Sequence, residues 1–250
     1  MSNHKLSVLI PCFNEETLIV STLMKVVDTL KMLSISSEII IVNDGSTDGT
    51  SERITAFIKK ENRIAIHEIK HERNRGKGAS IQTALKHITG TVVIIQDADL
   101  EYDPVDYNKM LPLIVEDKAD VVYGSRFRGS EPHRVLFFFH TIGNKLLTFL
   151  SNLLTQLNLT DMETGYKMFR TEIIKSITLK EKRFGIEPEL TAKISRIKGV
   201  RIFEVGISYY GRTYADGKKI NWKDGFRAIY CIIKYNTFNS KKIERRAVKD

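Results

Sequence analysis

The decapeptide Thr91–Leu100, TVVIIQDADL, decides how the rest of the chain reads. Four β-branched residues in a row, Val92 to Ile95, lack the apolar–polar alternation of a half-exposed strand. They predict a strand covered on both faces. Two carboxylates, Asp97 and Asp99, follow where such a strand leaves the core. The same texture recurs on either side. KLSVLIP (5–11), EIIIVND (38–44), RIAIHEIK (63–70) and ADVVYGS (119–125) read as strands. Between them, residues 17–33, 50–60 and 79–89, and the stretch starting at Pro104, carry apolar residues at helical spacing. Buried strands alternating with amphipathic helices predict an α/β chain whose mostly parallel sheet is sandwiched by helices. Ligands of such sheets bind at the carboxyl ends of the strands. Those ends here hold PCFNE (11–15), NDGSTDGT (43–50), DADLEYD (97–103) and GSRFRGS (124–130).

The second half is less regular. Residues 134–158 are rich in Phe and Leu, with a polar stripe that includes Asn144, Thr148, Ser151 and Asn152, so they predict an amphipathic helix. Three consecutive aromatics, Phe137 to Phe139, cannot all face one core, and partial burial in a lipid interface beside Arg and Lys accounts for them. A helix pattern around residues 184–197, a strand in VRIFEVGISY (200–209) and a basic loop, GRTYADGKK (211–219), follow. The simplest organisation is one domain over residues 1–229, with an acceptor-side elaboration in its C-terminal half and a basic helix or tail over 230–250.

Composition narrows the classes. Lys and Arg number 39 against 30 Asp and Glu, a formal charge of +9 that asks for an anionic partner: nucleic acid, anionic lipid or phosphorylated substrates. Two cysteines cannot form a disulfide framework or a four-cysteine zinc site. The N-terminal apolar run is too short for a secretory leader, and no stretch offers the roughly 20 apolar residues of a spanning helix. The expectation is a cytoplasmic protein. Nucleic-acid motifs of the helix-turn-helix, zinc-finger or RNP kind are missing, and strand-end carboxylates would repel a phosphate backbone.

The candidate chemistry sits at those strand ends. Asp97 and Asp99, one residue apart, suit one hard divalent cation such as Mg²⁺ or Mn²⁺, with Glu101 a further oxygen donor and substrate phosphates completing the shell. A pair of loop-capping carboxylates would carry the same pattern. Asp44 is placed either to accept a hydrogen bond from a base or ribose or to shape a strand-to-helix turn, and Asp48 reads as a helix cap. NRGKGAS (74–80) sets Arg75 and Lys77 among glycines before a helix, which suits a diphosphate, although it is neither a Walker A loop nor a dinucleotide fingerprint. Arg126 and Arg212 stand in two separate basic loops, matching two different phosphates, one on a donor and one on an acceptor.

Taken in order, IPCFNEE, VNDGSTDGT, NRGKGAS, QDADLEYDP, GSRF, DMETGYKMFR, FGIEPELTAK and GRTYADGKKI resemble glycosyltransferase family 2, with the GT-A fold, over residues 5 to about 229. The nearest group in pattern is the dolichol- and polyprenyl-phosphate sugar synthases. The resemblance implies a nucleotide-sugar donor held by Pro11, Phe13, Glu15, Asp44, Lys77, Asp97 and Ala98. It implies metal binding by Asp97 and Asp99, with Asp99 the more direct ligand. It implies acceptor-side roles for Arg126, Arg134, Asp161 and Glu187, and a mobile basic loop in which Arg212 and Lys218 cover the leaving diphosphate. Two departures stand out. Glu101 occupies a place where the related synthases often have Gln, and the 211–219 loop departs from their commoner RxxGxSK form. The implied activity is inverting, metal-dependent hexosyl transfer from a UDP- or GDP-sugar to a polyprenyl or dolichyl phosphate. It would act peripherally at the cytoplasmic membrane face, with a membrane protein as a potential anchor. The alternatives are a glycan or lipid hydroxyl acceptor, with Asp161 or Glu187 as base, and a non-catalytic basic module that binds nucleic acid or membrane.

Overall fold

The computed structural model describes residues 4–129, 134–135, 138–212 and 222–237. Strands β1 (Lys5–Cys12), β2 (Ser36–Asn43), β3 (Ala65–Lys70), β4 (Val92–Ile95), β5 (Val121–Ser125), β6 (Lys167–Arg170) and β7 (Ile202–Gly206) form one sheet in the order β3-β2-β1-β4-β6-β5-β7. Every paired neighbour is parallel except β6, which runs antiparallel to both β4 and β5. The expected mostly parallel sheet is therefore present, with one reversed strand inserted.

Successive residues of a strand point to opposite faces, so a run apolar at every position must be covered twice. Leu6, Val8 and Ile10 of β1 and Val92 and Ile94 of β4 pack against α1 (Ile19–Leu33), α2 (Thr50–Lys60) and α4 (Tyr107–Val115). Leu9, Ile40, Val93 and Ile95 pack on the other face against α3 (Lys77–Ala84), α6 (Thr171–Ser176) and α7 (Ile186–Ile194). Each fully buried Leu or Ile contributes about 1.5–3 kcal/mol relative to exposure. That explains why the first half follows its hydrophobic period so closely.

Helix boundaries differ from the sequence pattern in three places. Residues 104–117 begin as a 3-10 turn, Pro104–Asp106, where Asp103 caps Val105 N–H at 3.1 Å, and only then become α4. Helix α3 stops at Ala84, short of Gly90. The amphipathic segment forms α5 over Phe138–Thr155, and α8 (Trp222–Thr237) packs against α5 and α7. Residue 137 and residues 238–250 lie outside the described part.

The topology positions the site. The chain runs β1 to β2 to β3 in one direction, then returns to place β4 on the other side of β1. Loops leaving β1 and β4 diverge there and leave a crevice at the strand ends. Because β6 is reversed, its beginning, not its end, lies at that edge. Residues Asp161–Tyr166, just before Lys167, are thereby brought beside Asp97.

Candidate active site

The loop leaving β4 carries the first acidic pair. Gln96 is fully buried, accepts from Tyr107 Oη (2.7 Å) and Tyr166 Oη (3.1 Å), and donates to the Asp97 carbonyl (3.1 Å). Thr22 of α1 donates to the Ala98 carbonyl (3.0 Å). These contacts hold the Asp97–Asp99 backbone without occupying either carboxylate. Lys77 Nζ then lies 2.8 Å from Asp97 and 3.4 Å from Glu187. Burial alone would push the Lys77 ammonium pKa down, but Asp97 and Glu187 outweigh it and hold the lysine charged. Gly165 makes this approach possible: a Cβ there would meet Asp97 Oδ2 at 2.6 Å and Lys77 Nζ at 2.9 Å.

Arg212 faces the second acid. Its guanidinium lies 2.7 Å from Asp99 Oδ2, 3.2 Å from Glu15 Oε2 and 3.5 Å from Glu101 Oε1. Glu101 also accepts from Arg212 N–H (2.8 Å) and Tyr209 Oη (2.7 Å). Burial, then Asp97 and Glu101, push the Asp99 carboxyl well above the usual carboxylate range, against the pull of Arg212. Among the described residues, no group of three His, Cys, Asp or Glu side chains converges as a metal cage. The donor chemistry still suits a hard divalent ion. Glu15, Asp97, Asp99 and Glu101 bring four carboxylates into a region whose cations are Lys77 and Arg212, and the repulsion felt by Asp99 is what an added cation relieves.

Asp44 is a loop organiser. Its carboxylate accepts from the Arg75 and Gly76 amides (2.9 and 2.6 Å) and pairs with His71 Nδ1 (2.6 Å). The 74–76 turn is thereby fixed in front of α3, with Gly76 at φ +95°. Asp48 does the capping work its pattern suggests, accepting from Thr50 N–H at 3.1 Å and Thr50 Oγ1 at 2.5 Å.

On the far wall Arg126 is gripped by Asp161 through Nε (2.6 Å) and Nη2 (2.7 Å), and its guanidinium stacks 5.2 Å from the Tyr209 ring. Asp161 is fully buried, and despite that burial Arg126 holds its carboxyl below the usual range. It stands behind Arg126 and does not line the cavity. Glu187 pairs with the fully buried Lys167 at 2.5 Å, and Lys167 also donates to the Met162 and Thr164 carbonyls. Arg134 is exposed and binds the Gly211 carbonyl (2.9 Å), while its amide binds the Tyr209 carbonyl (2.8 Å), so it braces the segment leading to Arg212. Lys218 lies outside the described residues.

One cavity of about 920 Å³ gathers Pro11, Phe13, Glu15, Asp44, Lys77, Asp97, Ala98, Asp99, Glu101, Arg126, Glu187 and Arg212. It also takes in His140 and Asn144 of the predicted polar stripe, and residues that the sequence pattern did not single out, among them Tyr102, Glu163, Arg183 and Tyr209. Glu163 lay within the quoted DMETGYKMFR motif, but nothing in its spacing set it apart from a surface acid. Its Oε1 is covered and has no hydrogen-bond partner, and burial, then Glu187, push its carboxyl up to about 7. Beside the cavity, α5 and α8 expose Phe138, Phe139, Phe149 and Phe226. No described helix is long and apolar enough to cross a membrane.

Residues 7–178 match the family model for glycosyl transferase family 2. The chain belongs to glycosyl transferase family 2. This glycosyltransferase is 28% identical to the UDP-N-acetylglucosamine–dolichyl-phosphate N-acetylglucosaminyltransferase of Methanococcus voltae, over 93% of this chain and 96% of that one. It is 29% identical to a dolichyl-phosphate beta-glucosyltransferase of Trichomonas vaginalis, over 94% of this chain and 73% of that one. Among solved structures it superposes on glucosyl-3-phosphoglycerate synthase of Mycobacterium tuberculosis, a complex with Mn²⁺, UDP and phosphoglyceric acid. The TM-score is 0.71 at 18% identity, covering 94% of this chain and 79% of the other. At that identity the likeness speaks for the fold, which is of the GT-A type.

Proposed function

We propose that this glycosyltransferase moves a hexose from a UDP- or GDP-sugar to a polyprenyl or dolichyl phosphate, inverting the anomeric centre, at the cytoplasmic face of a membrane. The observation that carries the reading is one cavity. It gathers Lys77, Asp97, Asp99, Arg212 and Arg126, and Phe139 of α5 and Ala228 of α8 also line it. Two relatives named for dolichyl-phosphate acceptors support the acceptor class.

In this reading Pro11, Phe13, Glu15 and Asp44 border the base and ribose, and Lys77 stands at the donor phosphates. Asp97 and Asp99, with Glu101 adjacent, would hold Mg²⁺ or Mn²⁺, which would supply positive charge against the departing diphosphate. A neighbour of the same fold crystallised with Mn²⁺ and UDP lends support to that choice. Arg212, with Lys218 further along its loop, adds positive charge where the leaving group becomes negative. An acceptor phosphate is already ionised near neutral pH, so the chain's task is alignment of its oxygen against the anomeric carbon. Arg126, positioned by Asp161, and Arg134, which braces the 209–211 segment, serve that end. The exposed phenylalanines of α5 and α8 enter the lipid surface where such an acceptor resides.

The test is incubation with labelled nucleotide sugars, a short-chain polyprenyl phosphate and Mn²⁺. Label extracted into the organic phase supports the reading. Label confined to water-soluble products, with every donor tried, would overturn the lipid-phosphate acceptor.

A further inference from the structure

The same cavity takes in polar side chains beside Arg126, and of these the transfer reaction above leaves Glu163 unused. Two of the nearby cations are paired. Arg126 is held on two prongs by Asp161, and Lys167 is paired with Glu187. Glu163 lines the cavity with a covered Oε1 that has no hydrogen-bond partner among the described residues, and Asn144 does the same with its Oδ1. The charged groups around it are Glu187 on α7, Lys167 on β6, and Arg126 and Asp161 on the loops flanking β5 and β6. Helix α5 lays His140, Thr141 and Asn144 along the same cavity.

We propose that Glu163 reads the transferred sugar, its carboxyl donating a hydrogen bond to one sugar oxygen and accepting one from a sugar hydroxyl. An acceptor phosphate would draw on Arg126, whereas Glu163, Glu187, Thr141 and Asn144 in the same cavity suit a neutral, hydroxyl-bearing group. A sugar needs groups that donate and accept at fixed positions in a largely covered site. A carboxylate only accepts, whereas a protonated carboxyl both donates and accepts. Burial and the neighbouring Glu187 favour that form near neutrality, since Lys167 is already committed to Glu187. The position fits as well. Glu163 neighbours Glu187, which touches the Lys77 that pairs with Asp97, and it neighbours Arg126 on the acceptor wall. A hexose between donor diphosphate and acceptor would lie in the cavity that Glu163 lines. Glu163 is thus a specificity-determining residue, and the inference rests on the nucleotide-sugar reading above.

The test compares wild type, Glu163→Gln and Glu163→Ala by calorimetric titration with UDP and GDP, and with UDP-glucose, UDP-N-acetylglucosamine and GDP-mannose. The bare diphosphates serve as the folding control, and all three proteins are expected to bind them alike. Glutamine keeps a donor and an acceptor, so Glu163→Gln is expected to retain the affinity for the preferred nucleotide sugar. Glu163→Ala is expected to lose about tenfold. The sign with pH follows from the protonated form being the one that donates. Because Asp99 shares the site and its carboxyl is also raised, the readout is a ratio: wild-type affinity for the nucleotide sugar relative to that of Glu163→Gln falls at least about tenfold from about pH 6 to about pH 8.5. Two results overturn the inference: Glu163→Ala binding the sugar nucleotide as tightly as wild type, or Glu163→Gln tracking the wild-type pH profile. Failure of the underlying reading looks different, because wild type would then bind no nucleotide or sugar nucleotide at any pH, which overturns both.

Discussion

Arg212 reaches across 113 positions of chain to place its guanidinium 2.7 Å from Asp99. The second acid of the strand-end pair therefore meets positive charge brought by a loop from the far end of the sequence. Removing the acid's charge should cost turnover and leave the fold intact. Asp99→Asn is expected to lower kcat by about two to three orders of magnitude in saturating Mn²⁺, with little change in thermal stability. Initial rates and a melting curve check it, and unimpaired turnover would remove Asp99 from the mechanism.

Lys167 and Glu187 form an ion pair inside the protein, and both are at least nine-tenths covered. Breaking such a pair leaves an uncompensated buried charge. Lys167→Met should therefore destabilise by about 3–5 kcal/mol in urea unfolding. Adding Glu187→Leu should recover part of that loss, because the stranded carboxylate goes with it.

Gly165 is where Asp97 and Lys77 need room. A methyl at that position meets the ends of two flexible side chains rather than backbone, so Gly165→Ala should fold. Both functional groups must shift, and a displacement of that kind is expected to reduce kcat/KM by about tenfold or more. Equal kcat/KM for the two proteins would show that the Asp97–Lys77 placement is not needed.

Glu38, at the opposite edge of the sheet, links stability to pH. Burial pushes its carboxyl up, but hydrogen bonds from Lys5, Ser7 and Thr89 outweigh it and carry the pKa down to about 2. A folded pKa below the unfolded one gives stability that is complete above about pH 4.5 and is lost as pH falls toward about 2. The shift corresponds to about 3 kcal/mol. Glu38→Gln should lose up to about that much at neutral pH and show a shallower decline in acid, measured by urea unfolding at stepped pH.

The exposed aromatics give a separate prediction. Phe149 on α5 and Phe226 on α8 are 64% and 67% exposed. Phe149→Glu with Phe226→Glu should abolish co-sedimentation with anionic phospholipid vesicles while leaving nucleotide binding unchanged. Undiminished sedimentation of the double variant would place the lipid contact elsewhere.

Much of this was legible from residues alone. The strands were readable because both faces of a central strand must be apolar, and that shows in four consecutive positions. The acids after β4 and the lysine that opens α3 were legible because strand and helix ends are where polar side chains can project. The strand Lys167–Arg170 was not. It is four residues long and opens with a buried lysine, so it carries neither an apolar run nor alternation. Glu163 was missed for a related reason: a lone Glu in a polar motif has no pattern, and its meaning comes from neighbours on other elements.

By itself, the sequence determined the alternation of strand and helix and the edge of the sheet at which polar chemistry gathers. Both follow from local periodicity and from the need to bury apolar faces. Tertiary structure alone decided which charge meets which: Arg212 with Asp99, Arg126 with Asp161 and Lys167 with Glu187. It also decided that a reversed strand delivers Glu163 to the cavity. Electrostatic partners act through space over a few ångströms, and no local pattern encodes which distant residue will stand there.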